Sequence, residues 1–540
     1  MILHFPLCPD TCFGHGKIHS EYSITYDKRV ALRPDATHIG AVLFNSPEVL
    51  EKLPPQYHKW LLLFNPMESQ KLPYNKGCDH RIELKTAEEN LRMGPIYQLT
   101  LVEERLLKEN LDKMIREGKV RPSSRPIRSP IQLFPKPNGK GLSLCVDYRH
   151  LNQNTIKDKT PLPIMQELQD RLKGADFITK VDLKSGFHLI QLLLGYEKYT
   201  AFRTKFGLFE YTVMPFGLTN SPATFQREMN RILPPVLGIE LGFNTEIHID
   251  QDEGTVVVAY IDDIIIATNG SHEKHRCQVG KVFDLLLENQ MCVEINKCVF
   301  EQTEASFLRF IVSGQSIRVD PAKAQDIVDW PRPKNQKEVQ QILGLWNFYR
   351  RFIPNCAQIV APIAGLLKGN GKDFTFGDTQ ETAVLKIVVL FTAGNTPILW
   401  HFDQDRPALI KTDASDFEIE ADLSLKFEDW KIPPCAFLSQ KLSSAEFNYE
   451  VFDKEMPAIV HAHQKSRHYV LGTEDKTTIF SDLQNLEYFT KKVKCNRRLA
   501  RGTKCFSNST SLKSIKRDHS IRKRIYHPGA WRTPLERKVQ

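Results

Sequence analysis

The chain has 540 residues, with 73 Lys and Arg against 64 Asp and Glu, a formal charge of 73 − 64 = +9. At roughly 100–200 residues per domain, this length predicts about three to five compact units rather than one. A hydrophobic fraction of 41% and an aromatic fraction of 10% exclude wholesale disorder. Apolar runs such as Trp60–Phe64 and Ile387–Phe391 are core-sized, far from the roughly 20 residues a membrane span needs.

The charge is concentrated at one end. Residues 491–540 hold 16 Lys and Arg against Asp518 and Glu536, a net of 16 − 2 = +14, so residues 1–490 carry 57 − 62 = −5. Nucleic-acid binding therefore cannot be argued from bulk charge and must rest on local sites. The first ten residues lack a charged stretch followed by an apolar one, so no secretory signal is expected. Eleven irregularly spaced Cys suit a reducing, intracellular setting.

Residues 1–80 show scattered Pro, His and Gly without sustained period and read as loops and short elements. Cys8, Cys12, His15 and His19 are metal-type residues. Their two pairs abut, whereas a tetrahedral zinc site usually needs about a dozen residues between pairs, so coincidence is the favoured reading. Thr100 and Glu103 form a capping box for a helix with Leu106, Leu107, Leu111, Met114 and Ile115 on one face, and Gly118 ends it. Residues 121–137 are Pro-studded and basic, hence extended, and Lys136-Pro-Asn-Gly-Lys140 reads as a turn between strands.

Ser221-Pro222 reads as an N-cap with Pro at the first helical position, followed by Phe225, Met229, Ile232 and Leu233 at helical spacing. Val256–Tyr260 and Ile264–Ala267 are strand-forming runs joined at Ile261-Asp262-Asp263, and Leu237–Gly254 looks like a surface insertion. Asn335 with Glu338 caps a helix carrying Val339, Ile342, Leu343, Trp346, Tyr349 and Phe352. Residues 374–490 return to mixed strand and helix. Residues 491–540 lack apolar periodicity and are expected to be disordered.

Two adjacent carboxylates at the turn of an intensely apolar hairpin admit two readings. One is a solvated Asp-Asp turn. The other is a cation site, because ionised acids so close to a core are costly unless neutralised. A third acid shifts the balance: Phe177–Asp182 is a strand ending in Asp, with a turn at Gly186. Carboxylates from two elements supply the hard oxygen ligands Mg²⁺ prefers, and a pair of such ions can activate a hydroxyl and stabilise a leaving pyrophosphate.

At these residues the chain resembles a known family. Tyr260-Ile-Asp-Asp263 resembles the YxDD box of reverse transcriptases and Val181-Asp-Leu-Lys-Ser-Gly-Phe187 their first catalytic motif. Val146-Asp-Tyr-Arg-His-Leu-Asn152, Tyr199-Thr-Ala-Phe-Arg203 and Met214-Pro-Phe-Gly-Leu-Thr-Asn-Ser-Pro-Ala-Thr-Phe-Gln226 match in order. The polyproteins of gypsy-type LTR retrotransposons, particularly fungal ones, are the nearest resemblance. Ile342–Phe352, Thr412-Asp-Ala-Ser415 and Phe437–Leu442 extend it, so that it covers roughly residues 80–490.

The resemblance implies an α+β multidomain fold: a right-hand polymerase of fingers and palm (81–310) and thumb or connection helices (311–372). A degraded ribonuclease H-like α/β domain (373–490) and the basic tail (491–540) follow, and 1–80 stays unassigned. It implies an RNA-directed DNA polymerase, a nucleotidyltransferase using two Mg²⁺ ions, with Mn²⁺ as substitute. Its partners would be an RNA template, a DNA primer and dNTPs, with no membrane. Its setting would be a cytoplasmic particle or the nucleus.

By the same resemblance Asp182, Asp262 and Asp263 hold the metals, and Phe187 crowds a ribose 2′-OH. Pro215, Phe216 and Gly217 line the nucleotide pocket. Gln226 and Tyr260 meet the template and primer. Lys136 and Arg149 are candidate phosphate contacts, solvated surface charge being the competing reading. Lys297, in Asn296-Lys-Cys298, is either a proton donor to pyrophosphate or a plain surface lysine.

Departures from the family pattern bear on activity. Ser143 stands where a basic residue is usual, and Phe307-Leu-Arg309 replaces Phe-Leu-Gly, where a Gly would permit close backbone approach. In the second domain Asp413, Glu455 and Asp482 match three of about four acids a two-metal nuclease needs. Glu418, Glu420 and Asp422 stand where small apolar residues are usual, at an expected several kcal/mol if buried unpaired. Pro457 falls inside the helix carrying Glu455, at about 3 kcal/mol. Ribonuclease H activity is therefore expected to be weak or absent. The change of composition after Arg501 suggests a frame shift or truncation, and a relic that only binds nucleic acid is the alternative reading.

Overall fold

In the computed structural model the described residues are 47–65, 72, 77, 79–87, 94–124, 129–135, 142–233, 254–368, 374–392, 395–414, 418–428, 431–442, 451–471, 477–481 and 512–517. The metal-type Cys and His residues near the N-terminus, the turn 136–140 and all of the insertion Leu237–Gly254 but its last residue lie outside them. The chain divides into Met1–Leu61 and Leu62–Gln540. In the first unit the helix Pro47–Lys52 carries a Lys52–Glu48 ion pair of 2.9 Å. Everything that follows concerns the second.

Two sheets come first. β1 (Val120–Pro122), β2 (Ser129–Pro135) and β3 (Leu142–Val146) precede β4 (Phe177–Asp182), and β5 (Phe202–Thr204) and β6 (Gly207–Tyr211) follow it. Five of these form one sheet of order β1-β6-β5-β2-β3. Its core gathers Val120, Ile131, Val146, Phe202, Phe209 and Tyr211 with Leu107 and Leu111. Those two leucines belong to the helix Leu101–Arg116, whose Thr100–Glu103 capping box forms as expected and satisfies orphan N–H groups of the first turn.

β4 belongs to the central sheet, of order β7-β8-β4-β9, with β7 (Thr255–Tyr260), β8 (Asp263–Thr268) and β9 (Val299–Gln302). All its pairings are antiparallel. Ile264, Ile265 and Ile266 of β8 are fully buried, which fits a continuous apolar run covered on both faces. The helices Ser221–Ile232 and His272–Glu288 pack beside β7 and β8. The first of these begins one residue off expectation, with Asn220 as N-cap and Ser221 inside the helix. The Ser221 hydroxyl donates instead to the Pro215 carbonyl at 3.4 Å, so it is spent on the preceding loop. His275 is buried between two hydroxyls of the central sheet, with Nε2 2.7 Å from Thr179 Oγ1 and Nδ1 2.9 Å from Thr268 Oγ1.

β10 (Glu304–Phe307), β11 (Phe310–Ser313), β12 (Ser316–Val319) and β13 (Leu399–Trp400) form a third sheet. Its Phe307, Phe310 and Ile317 share a core with Ile178 and Ile265 of the central sheet, with Trp346 and Ile387 of the helices Gln336–Phe348 and Asp378–Phe391, and with Tyr349, the C-cap of the first. The Asn335 cap is present, accepting from the Glu338 N–H at 3.0 Å.

A fourth sheet has order β16-β15-β14-β17-β18, from β14 (Ala408–Ala414), β15 (Glu418–Leu425), β16 (Pro434–Lys441), β17 (Thr477–Ser481) and β18 (Leu512–Arg517). β14, β15 and β16 are antiparallel neighbours, whereas β14, β17 and β18 run parallel. β18 departs from the expectation of a disordered tail over Leu512–Arg517 alone: its backbone extends the sheet, and a strand rich in Lys and Arg suits an edge position. The helix Val451–Lys465 continues through Pro457 and covers this sheet with Ile459 and Ala462.

Candidate active site

Asp182 ends β4 directly opposite Asp263, the first residue of β8, and Tyr260 ends β7 opposite the same Asp263. The two-residue turn between them is Ile261-Asp262. The three carboxylates separated by some eighty residues of sequence thus meet at one end of the central sheet. Ile261 has φ +56°, a left-handed conformation that costs a β-branched residue about 1–2 kcal/mol and that such turns usually assign to Gly.

Gln226 holds this turn. The Ile261 N–H donates to Gln226 Oε1 at 2.8 Å, and Gln226 Nε2 donates to the Ala259 carbonyl at 3.1 Å. The residue expected at the template is 1% exposed. The helix Ser221–Ile232 turns its side chain inward, so it positions the hairpin instead. On the other side the Leu183 N–H donates to the Asp262 carbonyl at 3.0 Å, tying the turn to the end of β4. Gly186 is required here: a Cβ on it would lie 3.0 Å from Phe225 Cζ and 3.5 Å from Asp262 Cβ.

The charges are arranged unequally. Lys297 Nζ lies 2.9 Å from Asp182 Oδ1, and Lys180 Nζ lies 3.0 Å from Asp263 Oδ1. Among the described residues no lysine or arginine pairs with Asp262. Burial pushes the Asp182 and Asp262 carboxyls above the usual range. Lys297 pulls Asp182 back down, and the neighbouring Asp182 and Asp263 push Asp262 further up. Although burial opposes it, the contact with Asp182 holds the Lys297 ammonium above its ordinary value.

The expected metal ligands therefore converge, but among the described residues no group of three His, Cys, Asp or Glu is placed to hold an ion as it stands. Lysines stand against two of the three carboxylates. The donor chemistry still fits a divalent cation: two desolvated carboxyls repel one another and lack full compensation.

The residues expected at the nucleotide pocket are placed as follows. The Phe187 ring is half-buried, 5.0 Å from Phe216 and 5.7 Å from Phe225. Pro215 is buried, while Phe216 and Gly217 are exposed. Gly217 has φ +96°, and its carbonyl accepts from Asn152 Nδ2 at 2.8 Å. Asn152 Oδ1 in turn accepts from the Thr219 N–H at 2.8 Å, so this side chain shapes the loop from both ends. Arg149 is mostly exposed and clamped by Asp147 through contacts of 2.9 and 2.6 Å, which offsets part of its charge. Tyr260 is half-buried on β7. Lys136 and the Ser143 side chain lie outside the described residues.

The turn Leu308-Arg309 has φ values of +50° and +72°. The Arg309 guanidinium sits 5.8 Å above the Phe348 ring. A side chain is thus held in the conformation the missing Gly would adopt freely.

In the second domain Asp413 of β14 faces Glu420 of β15. Asp482 and the Glu455 side chain lie outside the described residues. The acids expected to be costly if buried are indeed drawn in: Ala421, Leu423 and Leu425 fill the core on one face, and Glu418, Glu420 and Asp422 alternate onto the opposite face, which is also covered, Glu418 being 2% exposed. There burial and mutual repulsion push Glu420 up to about 10, and burial pushes Asp422 up to about 6.

Sequence reasoning missed Lys180 and Asn152. Lys180 was findable, since two residues before Asp182 on a strand is the same face. Asn152 carries no local signal of its role, which depends on the Gly217 carbonyl and Thr219 N–H some 65 residues away.

Comparison with known proteins agrees with this geometry. Residues 135–312 match the family model for reverse transcriptase (RNA-dependent DNA polymerase), and residues 403–508 match that for the RNase H-like domain found in reverse transcriptase. The transposon Tf2-3 polyprotein of Schizosaccharomyces pombe is 33% identical over 455 residues, covering 83% of this chain and 32% of the polyprotein. The chain thus spans about a third of the length of the curated relatives it matches.

Among solved structures, a foamy viral protease-reverse transcriptase dRH in complex with ds DNA superposes with a TM-score of 0.71 at 20% identity. It covers 90% of this chain and 82% of that one. The foamy viral protease-reverse transcriptase in complex with RNA/DNA hybrid gives 0.65 at 19%, covering 93% and 64%. At these identities the likeness establishes the fold: a multidomain polymerase with a ribonuclease H-like domain.

Proposed function

The chain belongs to the reverse transcriptases of LTR-retrotransposon polyproteins, and on that premise we propose that it copies an RNA or DNA template by adding dNTPs to a primer 3′-OH. The convergence of Asp182, Asp262 and Asp263 at one strand end carries this reading.

Asp182 and Asp262 would hold divalent Mg²⁺, or Mn²⁺ in its place. Two ions bound there supply activation of the attacking hydroxyl and charge neutralisation at the leaving pyrophosphate. Asp263, paired with Lys180, keeps the hairpin register and adds negative potential. Gln226 and the Leu183 N–H hold Asp262 at the turn. Phe187, braced by Phe216 and Phe225, would stand against the sugar of the incoming nucleotide. Asn152 holds the Pro215–Gly217 loop that would border the same pocket. Arg149 is exposed enough to approach a phosphate. Contact with the template–primer would be dominated by its backbone and hence weakened by salt.

The chemistry proposed is confined to the first domain, because Asp413 faces Glu420, which burial and the neighbouring acids push up to about 10. The competing reading, a relic that binds nucleic acid without copying it, draws support from Arg309 at φ +72°. Primer extension on an RNA template with Mg²⁺ or Mn²⁺ separates the two. The parent should extend, Asp262→Asn should abolish extension, and Asp263→Asn should reduce it less. Equal extension by parent and Asp262→Asn would reject the assignment, and an inert parent with retained primer–template binding would favour the relic.

A further inference from the structure

The two lysines at the carboxylate cluster differ in a way that assigns them different roles. Lys180 lies within β4, and its side chain is 15% exposed. Its ammonium is fixed on Asp263 by the strand that carries it. Lys297 closes the short 3-10 turn Ile295–Lys297, and its side chain is 61% exposed although its Nζ touches Asp182 Oδ1. The backbone of that turn is anchored to the end of β4. The Glu294 N–H donates to the Asp182 carbonyl at 2.9 Å, and the Lys297 N–H donates to the Glu294 carbonyl at 3.0 Å. The root of the Lys297 side chain is therefore held beside Asp182 while its flexible stem stays in solvent.

Glu294 is itself engaged by Lys184 at 3.4 Å, so it does not compete for Lys297. The Asp182 carboxylate is 7% exposed as a residue and would be costly to bury as an anion without a cation at hand. Asp262, beside it, has no lysine partner among the described residues. One carboxylate thus carries a cation that can leave, one carries a cation that cannot, and one is open.

Resting on the metal-dependent reading above, we propose that Lys297 is an exchangeable counter-cation: it neutralises Asp182 until a divalent ion binds at Asp182 and Asp262, and that ion displaces it into solvent. Lys180 stays on Asp263 throughout. Metal binding at this site is then a cation exchange, and its affinity is set partly by how well Lys297 competes. A proximal ammonium also repels the incoming ion, since like charges a few ångströms apart interact strongly where water is partly excluded.

The test uses the full chain without nucleotide. Mn²⁺ binding is titrated at pH 8 by the loss of the free-ion electron paramagnetic resonance signal, for the parent, Lys297→Met and Lys297→Arg. Lys297→Met should bind Mn²⁺ more tightly by about tenfold, while Lys297→Arg, which keeps the charge, should stay within about twofold of the parent. In the unmutated protein, amine acylation followed by peptide mass spectrometry should show Lys297 becoming more reactive on adding Mg²⁺, with Lys180 unchanged. Saturable Mn²⁺ binding of equal strength in parent and Lys297→Met, with Lys297 acylation unaffected by Mg²⁺, would overturn the exchange while leaving the polymerase reading intact. No saturable binding in any of the three folded proteins would overturn both.

Discussion

Replacing Gln226 by Leu tests whether the helix Ser221–Ile232 aims the catalytic turn. The substitution keeps side-chain volume but removes two contacts to the hairpin backbone, the acceptor for the Ile261 N–H at 2.8 Å and the donor to the Ala259 carbonyl at 3.1 Å. A partly buried donor left without a partner costs about 1–3 kcal/mol, and a lost neutral hydrogen bond about 1 kcal/mol. Together these predict a loss of about 2–4 kcal/mol in urea unfolding. The strain at Ile261 should add to the effect, because Gln226 is what keeps a β-branched residue at φ +56°. Once released, the turn should relax and carry Asp262 out of line. A displacement near 1 Å can cost about a hundredfold in rate, so single-nucleotide addition should slow by ten- to a hundredfold while primer–template affinity stays unchanged. Stability within about 0.5 kcal/mol of the parent and an unchanged rate would refute the positioning role. Weakened template binding with the rate preserved would return Gln226 to the nucleic acid.

Two further predictions concern titration. Glu420 is pushed up to about 10 and Asp422 up to about 6, so the folded state binds protons at these carboxyls more tightly than the unfolded chain. Stability is then lost as pH rises from the ordinary carboxylate range toward those values. Glu420→Gln and Asp422→Asn should each raise the unfolding free energy at pH 8 by more than about 1 kcal/mol, and the gain should vanish near pH 4. A constant gain across this range would show that titration is not its source. His275 behaves oppositely. Burial lowers it to about 4, so the unfolded chain binds the proton more tightly and stability falls as pH drops from about 6.5 to 4. The full effect is at most about 3 kcal/mol. Chemical unfolding of His275→Gln against the parent should lose this slope, and parallel profiles would exclude His275 as its origin.

The central hairpin was legible because its cues are local: apolar runs flanking two acids, and a Gly placed after a strand-end Asp. Its pairing with β4 was not legible from spacing and was implied only by the resemblance; the structure places Asp182 opposite Asp263. What stayed hidden is everything that depends on direction rather than residue type. Gln226 was read from its motif as a template contact, yet burial alone decides that it faces the hairpin. Lys297 reaches Asp182 across 115 positions of sequence, and no periodicity announces such a contact.

The acids of β15 teach the converse. Their residue types announce a costly burial, and their parity decides which face of the strand bears it. The alternation that sends Glu418, Glu420 and Asp422 to one covered face of the strand is the one that sends Ala421 and Leu423 to the apolar core on the other, and it was present in the sequence throughout. A strand's two faces are decided together, so an unexpected charge has to be judged by the residues one step away from it. The same reasoning explains Lys180: it shares a strand face with Asp182, and its charge belongs to the carboxylate cluster before any tertiary contact is known.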